Sequence, residues 1–204
     1  GYASASWNGP GSVAPLNAYT GSGNPDLMIL KLNSAGAYQW HTFYGSTSID
    51  AAYAVTADGD GDIIVAGFST AAWSGPGSTA PVNAFTPGAG PLGEEGTILS
   101  LSAAGVYQWH SFYGSDNRDF LRGVAVDASG NYIFAGDSPK SWNTVAGQTP
   151  LHNHSGTGWD VLAIKFGGAL PVLPDLSIDD VSIIEGDSGT STLSFTVTRT
   201  GASG

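Results

Sequence analysis

Three aspartates spaced two residues apart form the clearest group of potential metal ligands. Asp58, Asp60 and Asp62 alternate with glycine in the run DGDGD. Carboxylate oxygens on a turn are hard ligands of the kind that calcium prefers. Asp and Gly are also common tight-turn residues, and a later run, DASGN, keeps the turn residues with fewer carboxylates. The run therefore supports two interpretations, a calcium loop and a hairpin turn.

The sequence offers few candidates for a catalytic histidine or a catalytic nucleophile. His41 and His110 follow tryptophan in two similar runs, which indicates a packing position, since a catalytic histidine normally occurs once. His152 and His154 flank Asn153 and could place two imidazoles on one side of a strand, but no third zinc ligand is nearby. No serine lies in a nucleophile-elbow pattern and there is no cysteine. We predict that the chain is not an enzyme.

Three tryptophans lie in loops rich in Gly, Pro and Ser, and they are candidates for a repeated binding surface. They are Trp7, Trp73 and Trp142. Outward-facing indoles would suit a sugar or protein ligand. Large aromatic side chains are usually mostly buried, so we favour the alternative that each one covers the edge between neighbouring sheets.

The elements that must position these residues are predicted to be short strands. The 204 residues include 30 Gly and 11 Pro, and only 11% are charged. This composition favours many strands joined by tight turns. The formal net charge of −11 would repel a phosphate backbone, which makes nucleic acid a poor partner. No apolar run approaches the length needed to cross a bilayer.

An internal repeat determines the predicted architecture. The run DLMILKLNSAGAYQWHTFYGS recurs as EGTILSLSAAGVYQWHSFYGS, and a third copy begins as DVLAIKF at Asp160. Each copy predicts four strands, typified by residues 27–32, 38–44, 52–57 and 63–68. Four antiparallel strands repeated at a long period are typical of β-propeller blades, with a β-solenoid as the alternative. We expect residues 1–166 to form an open arc of such blades.

The repeat resembles a known bacterial family. DLMILKLNSAG, WHTFYG and AVTADGDGDIIVAG are similar to the β-propeller repeat called SBBP, with departures at Glu95, Gly96 and Ser100. The resemblance implies an exported or surface-anchored bacterial protein. We therefore expect an extracellular or cell-surface location, with a protein or a glycan as the partner.

A second β-domain is predicted after the repeat. Residues 167–174 have the composition of a linker. Residues 175–204 carry DVSIIEGDSGT and FTVTRTG, which resemble the start of a Calx-β domain, a β-sandwich that binds calcium in some members. The resemblance implies calcium ligation by Glu185, with Asp187, Asp179 and Asp180 as neighbours. The other ligands of that family come from later loops, so we expect this chain to bind calcium no tighter than roughly millimolar.

The predicted fold is therefore all-β, a partial β-propeller followed by the first strands of a Calx-β sandwich. We expect a structural, adhesive or binding module that works beside neighbouring domains of the same parent chain. The alternative is an accessory or catalytic propeller of a secreted carbohydrate-active enzyme. A catalytic channel would need convergent polar side chains on the inner strands, where this sequence has mostly Ala, Val, Ile and Leu.

Overall fold

The protein folds as antiparallel β-sheet. The computed structural model describes residues 1–86, 93–143, 147–167, 175–178 and 197–200. Within these residues, two short 3₁₀ turns, Pro10–Ser12 and Pro76–Ser78, accompany twelve strands. The strands are β1 Tyr2–Ala3, β2 Asp26–Leu32, β3 Tyr38–Tyr44, β4 Asp50–Ala57, β5 Ile63–Ser69, β6 Glu95–Leu101, β7 Tyr107–Tyr113, β8 Phe120–Val126, β9 Tyr132–Ser138, β10 Asp160–Phe166, β11 Asp175–Ile178 and β12 Val197–Thr200. The four strand positions predicted for the first full copy are confirmed by β2 to β5.

The strands form separate sheets in the order of the chain. The first sheet has the order β1-β2-β3, the second β4-β5-β6-β7 and the third β10-β9-β8. The short strands β11 and β12 form a two-stranded sheet of their own. Over the part of the chain that the structure describes, the three larger sheets do not close into a ring, so the expected open arrangement is confirmed in this coarser sense.

The boundary between sheets differs from the one that the repeat suggests. A copy that starts at Asp26 contains β2 to β5, and the sequence predicts these four strands as one blade. In the structure β3 ends the first sheet and β4 begins the second. Each full copy therefore spans two sheets, and the second sheet combines the last strands of one copy with the first strands of the next.

Alternating side chains of β5 pack on both of its faces. Val65 belongs to a core cluster with Leu27 and Leu99, between the first and second sheets. Ile64 belongs to a second cluster with Leu121 and Phe134, between the second and third sheets. Successive strand residues point to opposite faces, which lets one strand serve two cores. The second sheet is thus covered on both sides.

Candidate functional site

Two β-bulges at equivalent positions of the repeat place the side chains of Tyr53 and Arg122. The pairing of β4 with β5 shifts register between Ala52 and Ala54, which leaves Tyr53 without a partner. The pairing of β8 with β9 shifts in the same way around Arg122. A bulge bends its strand and redirects a side chain. Tyr53 is 45% exposed, and the Arg122 side chain is 51% exposed.

A glycine opposite each bulge makes the bulge possible. Gly67 pairs with Ala52, and a Cβ atom at Gly67 would overlap the carbonyl oxygen of Ala51. Gly136 stands in the same relation to Phe120, whose carbonyl oxygen a Cβ would overlap. Glycine inside a strand commonly marks such a close backbone approach. These two positions therefore require the absence of a side chain.

Six side chains near the bulges form a cluster that we call the aromatic–arginine patch. Its members are Tyr53, Phe68, Arg118, Phe120, Arg122 and Trp159. Phe120 is the centre, with ring centroids 5.0 Å from Phe68 and 5.8 Å from Trp159. The Cζ atom of Arg122 lies 4.8 Å from the Phe120 ring centroid, and that of Arg118 lies 5.7 Å from it. Trp159 is 47% exposed, so the patch offers aromatic surface to solvent.

Two bidentate ion pairs hold the arginines in place. Arg118 donates from Nε and Nη2 to the carboxylate of Glu94, at 2.9 and 2.7 Å. Arg122 donates from the same two nitrogens to both oxygens of Asp137. Such paired bonds fix the plane of a guanidinium group. The patch is consequently a preorganised surface whose positive charges are already paired.

Trp73, one of the three tryptophans singled out from the sequence, is a packing residue. It is 7% exposed, and its indole stacks on His110 with ring centroids 3.7 Å apart. Its Nε1 donates to the Ser69 hydroxyl at 3.1 Å. Trp7 is half-buried and stacks on His41 at 3.8 Å. Trp142 is half-buried too, beside Tyr113, with its ring centroid 6.3 Å away.

The repeated histidines lie inside these stacks. His110 Nε2 donates to the carbonyl oxygen of Trp73 at 3.0 Å, and the Tyr107 hydroxyl donates to His110 Nδ1 at 2.7 Å. Burial lowers the pKa of His110 to about 4 and raises the pKa of Tyr107 to about 12. His41 is fully buried with the equivalent partners Tyr38 and Trp7. The predicted packing position is confirmed for both histidines.

A set of buried carboxyl groups lies at the strand starts. Asp50 Oδ2 accepts bonds from the Ser46 amide at 2.7 Å and the Ser46 hydroxyl at 2.8 Å. Asp119 and Ser115 repeat this arrangement one copy later. Burial raises the pKa of Asp50 to about 6 and the pKa of Glu95 to about 8. These groups order the connections between strands, and the sequence analysis did not single them out.

The aspartates of DGDGD lie in a hairpin turn. Asp58 Oδ1 accepts bonds from the Asp60 and Asp62 amides, and its Oδ2 accepts a bond from the Tyr132 hydroxyl at 2.8 Å. Asp62 Oδ2 accepts a bond from Gln108 at 2.7 Å. Both oxygens of Asp58 and one oxygen of Asp62 therefore already have hydrogen-bond partners within the protein. The part of the chain that the structure describes holds no group of three acidic or histidine side chains placed to bind a metal.

The other proposed metal ligands lie either outside the described residues or on an exposed segment. Glu185 and Asp187, with Asp179 and Asp180, lie outside the described residues. His154 Nε2 donates to the carbonyl oxygen of Gly158 at 2.8 Å. His152 lies beside it on an exposed segment.

Comparison with family models and with curated proteins identifies no relative. No family model matches the chain, and no curated protein matches it. Among the described residues there is no helix of the length and apolar character that a membrane crossing requires.

The members of the aromatic–arginine patch come from separate segments, so no single sequence motif predicts the patch. Two signals were present. Gly67 and Gly136 interrupt strand patterns, which indicates a bulge. In addition, Tyr53 and Arg122 are large residues at matched positions where the inner strands otherwise carry small or aliphatic ones.

Proposed function

We propose that this chain is a non-catalytic binding module of an exported bacterial surface protein. In this proposal residues 1–166 are SBBP-type β-propeller blades, and a Calx-β domain follows them with calcium ligands at Glu185 and Asp187. The motif resemblance supports the family and the location. The aromatic–arginine patch carries the binding function.

The composition and rigidity of the patch support ligand binding. Tryptophan, tyrosine and arginine are the residues that most often dominate binding energy at interfaces. A surface that is already ordered loses little conformational entropy when a ligand binds. The ion pairs of Arg118 and Arg122 supply that order. The exposed faces of Tyr53 and Trp159 suit a protein side chain or the apolar face of a sugar.

The carboxylates that pair with the arginines of the patch support a non-catalytic role. Glu94 and Asp137 each accept two bonds from an arginine. Both oxygens of each carboxylate are thus engaged by an arginine of the protein. General acid–base chemistry needs a carboxyl group placed within hydrogen-bond reach of the substrate.

Labelled protein applied to a glycan array and to an array of cell-surface proteins tests the proposal. We expect the wild-type chain to bind a defined set on one of them. The double variant Tyr53→Ala, Trp159→Ala should bind at least about tenfold more weakly, as expected when hot-spot residues are truncated. Tyr2→Ala is the matched control, because Tyr2 is 60% exposed and lies on the first sheet.

The array that gives the signal assigns the ligand class. Failure to bind either array, or equal binding by the double variant and the wild type, would contradict the proposal.

A further inference from the structure

The outermost strand of the second sheet is held from both sides. On one side β7 pairs with β6. On the other side the Val82 amide donates to the carbonyl oxygen of His110 at 2.9 Å, and the Asn83 side chain donates to the carbonyl oxygen of Phe112 at 2.6 Å. The first sheet repeats this arrangement around β3, where the Leu16 amide donates to the carbonyl oxygen of His41 at 2.9 Å.

A tryptophan fixes the register of each outer strand. Trp73 stacks on His110 of β7, and Trp7 stacks on His41 of β3. In both cases the histidine bonds the carbonyl oxygen of its own tryptophan. The outer strand thus has two main-chain neighbours and one aromatic anchor.

The third sheet has residues at the equivalent repeat positions beside β10. By repeat position, Trp142 corresponds to Trp73, Leu151 to Val82, and Asp160 to Glu95. These residues line a groove of about 1090 Å³ that runs along β10. Within the described residues β10 pairs with β9 alone and forms the edge of its sheet. Leu151 is 98% exposed and Val161 is 89% exposed, whereas Gly96 at the position of Val161 is buried.

We propose that this groove binds an extended peptide strand, antiparallel to β10, with the pattern Tyr-x-x-His-x-Phe. By analogy with the pairing of β6 and β7, the peptide histidine lies opposite Ile164 and the phenylalanine opposite Leu162. The histidine ring stacks on Trp142 and bonds its carbonyl oxygen. Addition of a strand to an open sheet edge is an established mode of peptide recognition. This inference concerns an edge that the aromatic–arginine patch does not include.

The pattern itself indicates the occupant. Within the 204 residues it occurs only at positions 38–43 and 107–112. Both occurrences lie in strands that are already paired, β3 and β7. A strand with this pattern that fills the groove therefore comes from outside residues 1–204, and alternating pockets for its side chains give specificity while main-chain bonds give affinity.

A synthetic peptide with the sequence of residues 105–115, GVYQWHSFYGS, is the probe. We expect saturable binding to the full chain by fluorescence anisotropy below about 1 mM peptide. Replacement of the peptide histidine by alanine, or the protein change Trp142→Ala, should weaken binding at least about tenfold through loss of the stack. Trp142→Phe, which keeps an aromatic face, should lose less.

Tyr2→Ala is the matched control, because Tyr2 is 60% exposed, lies on the first sheet and does not line the groove. Its affinity for the peptide should equal that of the wild type. Hydrogen exchange gives the location: the peptide should slow exchange in β10 and in the Leu151 segment and leave β1 to β3 unchanged. Unchanged exchange in β8 and β9 of Trp142→Ala verifies that the sheet carrying the groove is folded in this variant.

Three outcomes overturn the inference. They are no saturation at about 1 mM peptide, equal affinity of the histidine and alanine peptides, and protection of a different sheet edge.

Discussion

β6 and β10 hold the same position in successive copies of the repeat, yet their surroundings differ. All seven residues of β6 are buried, whereas β10 alternates between exposed and half-buried residues. β6 lies between β5 and β7, and β10 has β9 as its one strand neighbour among the described residues. The same strand pattern thus gives an interior strand in one sheet and an edge strand in the other.

The difference implies unequal stability along the chain. The second sheet packs against core clusters on both faces, and the third sheet contributes to the clusters on one of those faces. Local opening is easiest where few apolar groups are buried and main-chain bonds face solvent. We expect the second sheet to set the global free energy of unfolding and the third sheet to open at lower cost.

The largest expected effect is the loss of stability caused by a substitution at the bulge of the second sheet. Gly67→Ala introduces a Cβ that overlaps the carbonyl oxygen of Ala51, so the backbone must move. We expect the free energy of unfolding to fall by about 4 kcal/mol. The equivalent change in the third sheet, Gly136→Ala, should lower it less, because that sheet opens locally first. Urea denaturation followed by tryptophan fluorescence measures both values.

Gly59→Ala is the control for this pair. No atom lies within 4 Å of a Cβ built at Gly59, so we expect a change within about 0.5 kcal/mol. Equal losses for Gly67→Ala and Gly136→Ala would show that the two sheets unfold as one unit.

The sequence predicted the strands correctly, but the predicted grouping of β2 to β5 into one sheet is wrong. Alternation and turn residues located β2 to β5 to within two residues. Short connections usually join neighbouring strands, yet the short connection from Tyr44 to Asp50 crosses between sheets, and the long one from Ser69 to Glu95 stays within one. The bonds of Asp50 to Ser46 order that short crossing, and buried carboxyl groups of this kind have no distinct sequence signature.

The candidate site was less accessible to sequence reasoning. Trp73 lies in a polar loop, and its burial depends on His110, which is distant in sequence. Trp159 is exposed and joins the patch through Phe120. Side-chain contacts between sheets depend on how the sheets stack, and local residue patterns do not encode that geometry.

Truncation of equivalent side chains in β6 and β10 tests the difference in burial between the two strands. Leu99 in β6 is fully buried, and Ile164 holds the same position in β10, where it is half-buried. Leu99→Ala should cost about 3 kcal/mol, a typical loss for a buried aliphatic side chain, and Ile164→Ala about half as much. Val106→Ala, at a residue that is 63% exposed, should change the free energy of unfolding by less than about 0.5 kcal/mol. Equal costs at positions 99 and 164 would mean that β10 is as well covered as β6.

The smallest of the three effects is a pH dependence of the free energy of unfolding, which arises from Glu95 in the second sheet. Burial raises the pKa of Glu95 from 4.5 to about 8. Between these values the folded state keeps the proton and the unfolded state releases it, so the free energy of unfolding falls as pH rises. His110, whose pKa burial lowers to about 4, acts in the opposite direction below pH 6.5. The window from pH 6.5 to 8.5 therefore isolates Glu95 from His110.

In that window we expect the wild-type free energy of unfolding to fall by about 2 kcal/mol, since each pH unit contributes about 1.4 kcal/mol until Glu95 ionises. Glu95→Gln keeps an oxygen that accepts the Thr86 amide bond and has no proton to lose. The variant should therefore show a much flatter profile. The amino terminus of Gly1, whose pKa burial lowers, contributes equally to both proteins, so the difference between their profiles removes it. Parallel profiles would mean that Glu95 is solvated in the folded state. The start of β6 would then be open to water, and the burial that distinguishes β6 from β10 would not extend to Glu95.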